Sequence, residues 1–315
     1  MRAHAYRVGS AVTLAALGLL VTAAVPAPAA AFVPTVHYVT GTSLYNSNTT
    51  KVANAVCGAG ESVLGGSASI KGGAGQVTIQ AAFPMFDPGL GRHIYVVKAT
   101  EDATGTIDSW SITAGAYCTP DTVPIYDEDS SVFDSSPIKS VTKACPANTK
   151  VVGMGGEVSI RPSGAVENLG ATVPDARVVF QGFELDDDLT QVTARATEVG
   201  GALGGGAPQM WKVTAVVACS APYNFDGIEL MRNKDLGGGF LPAETDSSVE
   251  ISCSAKAKRI IGAASLVDDD DMGQWYLDRM SRYNAFQTRI VATATRNAEL
   301  GTALTRQTAF VVCVD

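Results

Sequence analysis

The chain has 315 residues, with 23 basic against 31 acidic side chains and a formal charge of −8 at neutral pH. An acidic chain with no lysine/arginine cluster argues against nucleic acid and anionic lipid headgroups as partners, because phosphates reward concentrated positive charge. With 32 glycines, 17% charged residues and abundant Val, Thr and Ala, the composition is that of a turn-rich β protein.

The first 31 residues read as an export signal. Arg2 and Arg7 give the positive start, Ala11 to Val25 an apolar run, and Ala29 and Ala31 the small residues of an A-x-A cleavage site. Pro26 and Pro28 end the run short of the roughly 20 apolar residues a spanning helix needs. No later stretch could span a bilayer, so a secreted, extracellular protein is expected. All six cysteines follow the signal, where export permits disulfides. Spacing alone leaves their pairing open.

A repeat narrows the choice. Unit 1 opens at Cys57 (CGAGESVLGG), unit 2 at Cys145 (CPANTKVVGMGG) and unit 3 at Cys253 (CSAKAKRIIGAA). A glycine follows eight, eight and nine residues later, at Gly65, Gly153 and Gly262. A middle segment then ends on Ala99 (YVVKATE), Ala196 (VTARATE) or Ala294 (IVATATR). Each unit closes on a segment ending in cysteine: WSITAGAYC at Cys118, WKVTAVVAC at Cys219 and TRQTAFVVC at Cys313.

Alternation makes these segments strands. Trp110, Ile112, Ala114, Ala116 and Cys118 share one face, as do Trp211, Val213, Ala215, Val217 and Cys219. In the middle segments Tyr95, Val97 and Ala99 share a face, with Lys98 opposite; Arg195 and Thr293 are its counterparts. The fold expected is all-β: three tandem Cys-bounded antiparallel units (32–118, 119–219, 220–315, after a 1–31 signal), β-prism-like or small β-sandwiches. If opening and closing strands are neighbours in one sheet, the disulfides are Cys57–Cys118, Cys145–Cys219 and Cys253–Cys313. Each would be worth on the order of 4 kcal/mol in the chain-entropy model.

The Cys-x7-Gly-Gly opening and the Trp-x7-Cys closing strand resemble a repeat of secreted actinobacterial proteins of unknown function, over nearly all of residues 40–315. The alanine-rich signal fits that source, and the motifs bring no catalytic residues. Three Cys-bounded β units also resemble, in shape, the threefold β-prism of vitelline membrane outer layer protein. That resemblance implies a carbohydrate-facing role, with no sugar-site motif to carry over.

Candidate chemistry is sparse. His37 and His93, the two histidines beyond the signal, make no metal-ligand spacing and read as surface residues. No G-x-S-x-G elbow is present to hold a serine nucleophile. Asp186, Asp187 and Asp188, and Asp268, Asp269, Asp270 and Asp271, are the candidate oxygen ligands for Ca²⁺. Both runs replace glycine-rich hairpin tips of unit 1, so solvated loop charge is the plainer reading and no cofactor is expected. Asp127, Glu128 and Asp129 read as a linker. Trp110 and Trp211 share faces with the closing cysteines and belong to the core.

Trp275, Tyr276 and Tyr283 fall in a stretch (MGQWYLDRMSRY) that reads as an insertion peculiar to unit 3, and they are the candidate ligand residues. Unit 3 also carries Thr305 where the others carry tryptophan. The leading expectation is a non-enzymatic extracellular binding protein, its partner a polysaccharide, cell-wall material or a surface protein. A carboxylate-dependent glycan hydrolase and a structural envelope or spore-coat component are the alternatives.

Overall fold

A computed structural model describes residues 35–73, 76–102, 105–161, 178–198, 210–221, 225, 227–234, 246–254, 258–269, 275–282, 289–296 and 305–315. Unit 1 forms β1 (His37–Thr42), β2 (Thr50–Val56), β3 (Ser62–Gly72), β4 (Val77–Asp87), β5 (Arg92–Glu101) and β6 (Trp110–Thr119). Unit 2 forms β7 (Ile125–Ser130), β8 (Ile138–Ala144), β9 (Lys150–Arg161), β10 (Val178–Leu185), β11 (Gln191–Glu198) and β12 (Met210–Ser220). Unit 3 forms β13 (Glu229–Lys234), β14 (Asp246–Ser252), β15 (Arg259–Asp269), β16 (Trp275–Arg282), β17 (Arg289–Arg296) and β18 (Thr305–Val314). The chain is all-β, and among the described residues there is no helix.

The units are not separate sandwiches. Sheet A runs β1-β6-β3-β16-β17-β14, sheet B β2-β5-β4-β9-β12-β7 and sheet C β13-β18-β15-β10-β11-β8. Every sheet therefore takes three strands from one unit and three from another, and every unit splits between two sheets. The joining pairs, β3 with β16, β9 with β4 and β15 with β10, are equivalent in the repeat and antiparallel. Closing the cycle this way gives pseudo-threefold symmetry and one continuous core that all three units line. The described strands belong to a single compact unit, Phe32–Asp315.

The repeated glycines explain how the units meet. Gly65, Gly153 and Gly262 sit where β3, β9 and β15 converge. A Cβ on Gly65 would lie 2.9 Å from the Gly262 Cα, and one on Gly153 would lie 1.5 Å from the Leu64 carbonyl oxygen. No side chain fits there, so the landmark glycine is a packing requirement of the axis. In each of the three strands the register slips by one residue just before that glycine, at Leu64, Val152 and Ile261. A bulge bends a strand and increases its twist, which suits strands that must turn away from one another after touching.

The disulfides pair as expected: Cys57–Cys118, Cys145–Cys219 and Cys253–Cys313, with Cα separations of 5.7, 5.7 and 5.9 Å. They span 61, 74 and 60 residues, worth on the order of 4 kcal/mol each in the loop-entropy model. The expectation that each joins neighbours in one sheet is corrected. Each opening cysteine follows the second strand of its unit, and each closing cysteine lies in the sixth, on a different sheet. The three bridges thus tie A to B, B to C and C to A.

All three bridges lie at one end of the molecule. Tyr126 at the start of unit 2 donates to the Val63 carbonyl, and Arg259 at the start of β15 donates to Val36. Trp110 and Trp211 mark the opposite end. Two further expectations change. Asp127, Glu128 and Asp129 are not linker but the middle of β7, paired with β12. The segment around Trp275 is not an insertion: β16 is the regular fourth strand of unit 3, the counterpart of β4 and β10.

Candidate functional site

At the tryptophan end, units 1 and 2 build the same buried cluster. The Lys51 side chain lies beneath the β1–β2 loop, where its ammonium donates to the carbonyls of Leu44 (3.3 Å) and Asn46 (2.9 Å) and to Asn46 Oδ1. The same ammonium stands 4.6 Å from the centre of the Trp110 ring, whose Nε1 donates to Glu101 Oε1 at 2.8 Å. In unit 2, Lys139 donates to the carbonyls of Val132 (2.9 Å), Asp134 (3.1 Å) and Trp211 (2.6 Å). It pairs with Asp134 Oδ1 at 2.6 Å and stands 4.8 Å from the Trp211 ring, whose Nε1 donates to Glu198 at 2.9 Å.

A buried ammonium is tolerable only when its hydrogens are taken up, and here carbonyl oxygens and an indole face take them. Burial lowers the Lys51 pKa, opposed by the charge of Glu101. The Lys139 ammonium, helped by the Ser136 amide and hydroxyl, holds the Asp134 carboxyl at about 2.

Unit 3 lacks the whole set. Lys51 pairs across the ladder with Ala99, Lys139 with Ala196 and Ser247 with Ala294, so Ser247 takes the lysine position. Arg296 stands where the others have Glu101 and Glu198, and Thr305 where they have tryptophan.

The clamp fixes a surface loop above it. Ser43 and Asn46 bond the backbone of Ile112 and Trp110, and Ser131 and Asp134 bond Val213 and Trp211 in the same pattern. The serine hydroxyls repeat too, accepting from the amides of Ile112 and Val213 at 3.0 Å each. Held this way, the loops project apolar side chains into solvent: Leu44 is 79% exposed, Tyr45 59% and Val132 71%. Lysines flank the aromatic rings, Lys71 at 5.7 Å from Tyr45 and Lys212 at 5.3 Å from Phe133. Apolar groups on a loop pinned from beneath lose little order when they are covered.

The sequence-derived candidates fare differently. The Asp186 carboxylate accepts from the amides of Thr190 (2.6 Å) and Gln191 (2.9 Å) and from the Thr190 hydroxyl, closing the β10–β11 turn. Asp187 pairs with Arg232 at 2.8 Å, and the Asp188 carbonyl accepts from Lys150 at 2.5 Å. The run forms the tip of the β10–β11 hairpin, with Asp186, Asp187 and the Asp188 carbonyl each engaging a different partner.

Asp268 and Asp269 end β15. Their side chains, and the whole of Asp270, Asp271 and Tyr283, lie outside the described residues, as do the side chains of Trp275 and Tyr276. The strand position of Trp275, opposite Arg296, is the one that Val77 and Val178 hold in the other units, and both valines are buried.

At the disulfide end His37 faces Glu61 at 3.3 Å, with Cys118 close by. That sulfur is bridged to Cys57, so the trio offers two metal ligands rather than three. His93 lies between the Phe86 ring (5.0 Å) and the Tyr126 ring (5.3 Å), and burial lowers its pKa.

The display loops escaped the sequence reading, although SLYNSNTTK and SVFDSSPIK align residue for residue across Ser43–Lys51 and Ser131–Lys139. A search of protein-family models found none that matches the chain, and a search of curated proteins found no match either.

Proposed function

We propose that the chain is a secreted, non-enzymatic binding protein that holds a repeating extracellular polymer, with polysaccharide or cell-wall material as the partner class. The observation that carries the reading is the pair of clamped loops presenting Leu44, Tyr45 and Val132. Two copies of one surface suit a partner that itself repeats, because the second contact forms at the high effective concentration set by the first. An exposed tyrosine beside Asn46, Ser47 and Asn48 offers a flat apolar face with hydrogen-bonding neighbours, the combination sugar rings use. Secretion is supported by three disulfides and by a compact unit that begins at Phe32, directly after the A-x-A site.

A pull-down against a panel of insoluble glycans tests the reading. Retention is expected on at least one, weakened roughly 100-fold by Leu44→Ser/Tyr45→Ser or by Val132→Ser alone, and lost when the changes are combined. Retention on none, or retention indifferent to both loops, rejects it.

A further inference from the structure

On a different surface, we propose that the outer face of sheet B is the site at which a second copy of this chain docks. The pseudosymmetry supplies the control. Strand β2 turns Val52, Asn54 and Val56 outward, and their ladder partners on β5 are Lys98, Val96 and Ile94. Next to these on β4 stand Ala81, Phe83 and Met85. Ile94 and Val96 are buried yet lie outside the central core, and Val52 remains 50% exposed. The matching positions of unit 2 are Ser140, Thr142 and Ala144 on β8 and Arg195, Thr193 and Gln191 on β11. Those of unit 3 are Ser248, Glu250 and Ser252 on β14 and Thr293, Val291 and Arg289 on β17.

The fold evidently accepts polar residues there, as the Thr142–Thr193 contact at 2.8 Å illustrates. Unit 1 alone carries aliphatic residues at most of these positions. It leaves Val52 and Val56 50% and 40% exposed on one face of the edge strand β2, apolar surface that favours being covered.

The charges on this face indicate what covers it. Lys98 and Glu157 flank Ala81 in one row, joined at 2.6 Å. A two-fold axis lying in the interface along β4 sets Lys98 of one copy opposite Glu157 of the other, twice, and Phe83 opposite Phe83. A face carrying both signs on either side of its own centre is self-complementary, as a closed two-fold interface requires. That axis sets β2 on β12, β5 on β9 and β4 on itself. Five strands at about 4.8 Å spacing and roughly 30 Å long give a footprint on the order of 700 Å², close to the ~800 Å² per partner of a stable complex.

Sedimentation velocity on the purified protein at about 50 µM decides the matter. The expected result is a dimer. Lys98→Glu alone and Glu157→Lys alone should each be monomeric, since each sets like charges face to face, whereas an equimolar mixture of the two should recover dimers. Circular dichroism reports whether the charge variants fold. If they do not, Val52→Ser/Val56→Ser, which installs residue types the other units already carry, is expected to raise the dimer dissociation constant roughly tenfold. A monomeric wild type overturns the proposal. So does a dimer that survives the aliphatic substitutions unchanged, or charge variants that stay dimeric unmixed.

Discussion

Units 1 and 2 close their tryptophan ends with lysine, indole and carboxylate, whereas the sequence of unit 3 has Ser247, Thr305 and Arg296 at the equivalent strand positions. The three changes belong together. Removing the tryptophan strips the lysine of its aromatic face and leaves the glutamate without its indole donor, so a partly altered set strands a buried charge. By contrast, the axial glycine and the disulfide persist in all three units. What assembles the fold is kept threefold, and what shapes the tryptophan end is kept only twice. That division is why the loops over the clamp, rather than the axis or the bridges, are the place to seek recognition.

The comparison is broken most forcefully at the indole. Trp211→Ala should destabilise by about 3–5 kcal/mol, the range for truncating a buried tryptophan. Thr305→Ala, at the equivalent position of unit 3, is expected within about 1 kcal/mol of wild type, as for a change that removes no packed ring. Urea denaturation of both measures the contrast. Equal losses would show that unit 3 leans on its sixth strand as heavily as unit 2 does.

Trp275 comes next. It holds the strand position at which Val77 and Val178 are buried, so we expect it to be a core residue of unit 3. Trp275→Ala should then cost about 3 kcal/mol in denaturant melts while glycan retention persists. Unchanged stability with lost retention would return Trp275 to the binding surface.

Much of this was legible from the chain because the repeat marks its own constraints. The pairing of Cys57 with Cys118 follows from treating each unit as one sheet, and the pairing is correct although that premise is not. The role of the bridge was not legible, because the exchange of half-sheets between units leaves no local signature: β3 looks the same whether β16 belongs to its own unit or another. Alternation in β6 and β12 found the inner faces of Trp110 and Trp211, but these strands are buried on nearly every residue, which blurs the expected wet side. Leu44 and Tyr45 went unnoticed because an apolar pair inside a polar loop has no period. Asp127 to Asp129 misled because an edge strand facing solvent can be as acidic as a linker.

The finest difference lies between the two clamps themselves, where unit 1 has Asn46 and unit 2 Asp134 facing the lysine. Only the carboxyl titrates. Its pKa is depressed from 3.8 to about 2 by Lys139 and Ser136, so the folded state binds this proton less readily than the unfolded chain. The stabilisation is therefore complete above about pH 4 and is lost as pH falls towards 2. Asp134 is partly exposed, so salt and water screen the pair and the effect is small.

Asp134→Asn copies unit 1 and removes the titration while keeping an oxygen for Lys139. Its thermal midpoint should fall less steeply than that of wild type between pH 4 and 2, with the two curves running parallel above pH 5. Asn46→Asp should do the reverse and give unit 1 an acid limb of its own. Parallel curves throughout the acid range for both variants would mean that the lysine draws its support from the carbonyls and the indole face alone.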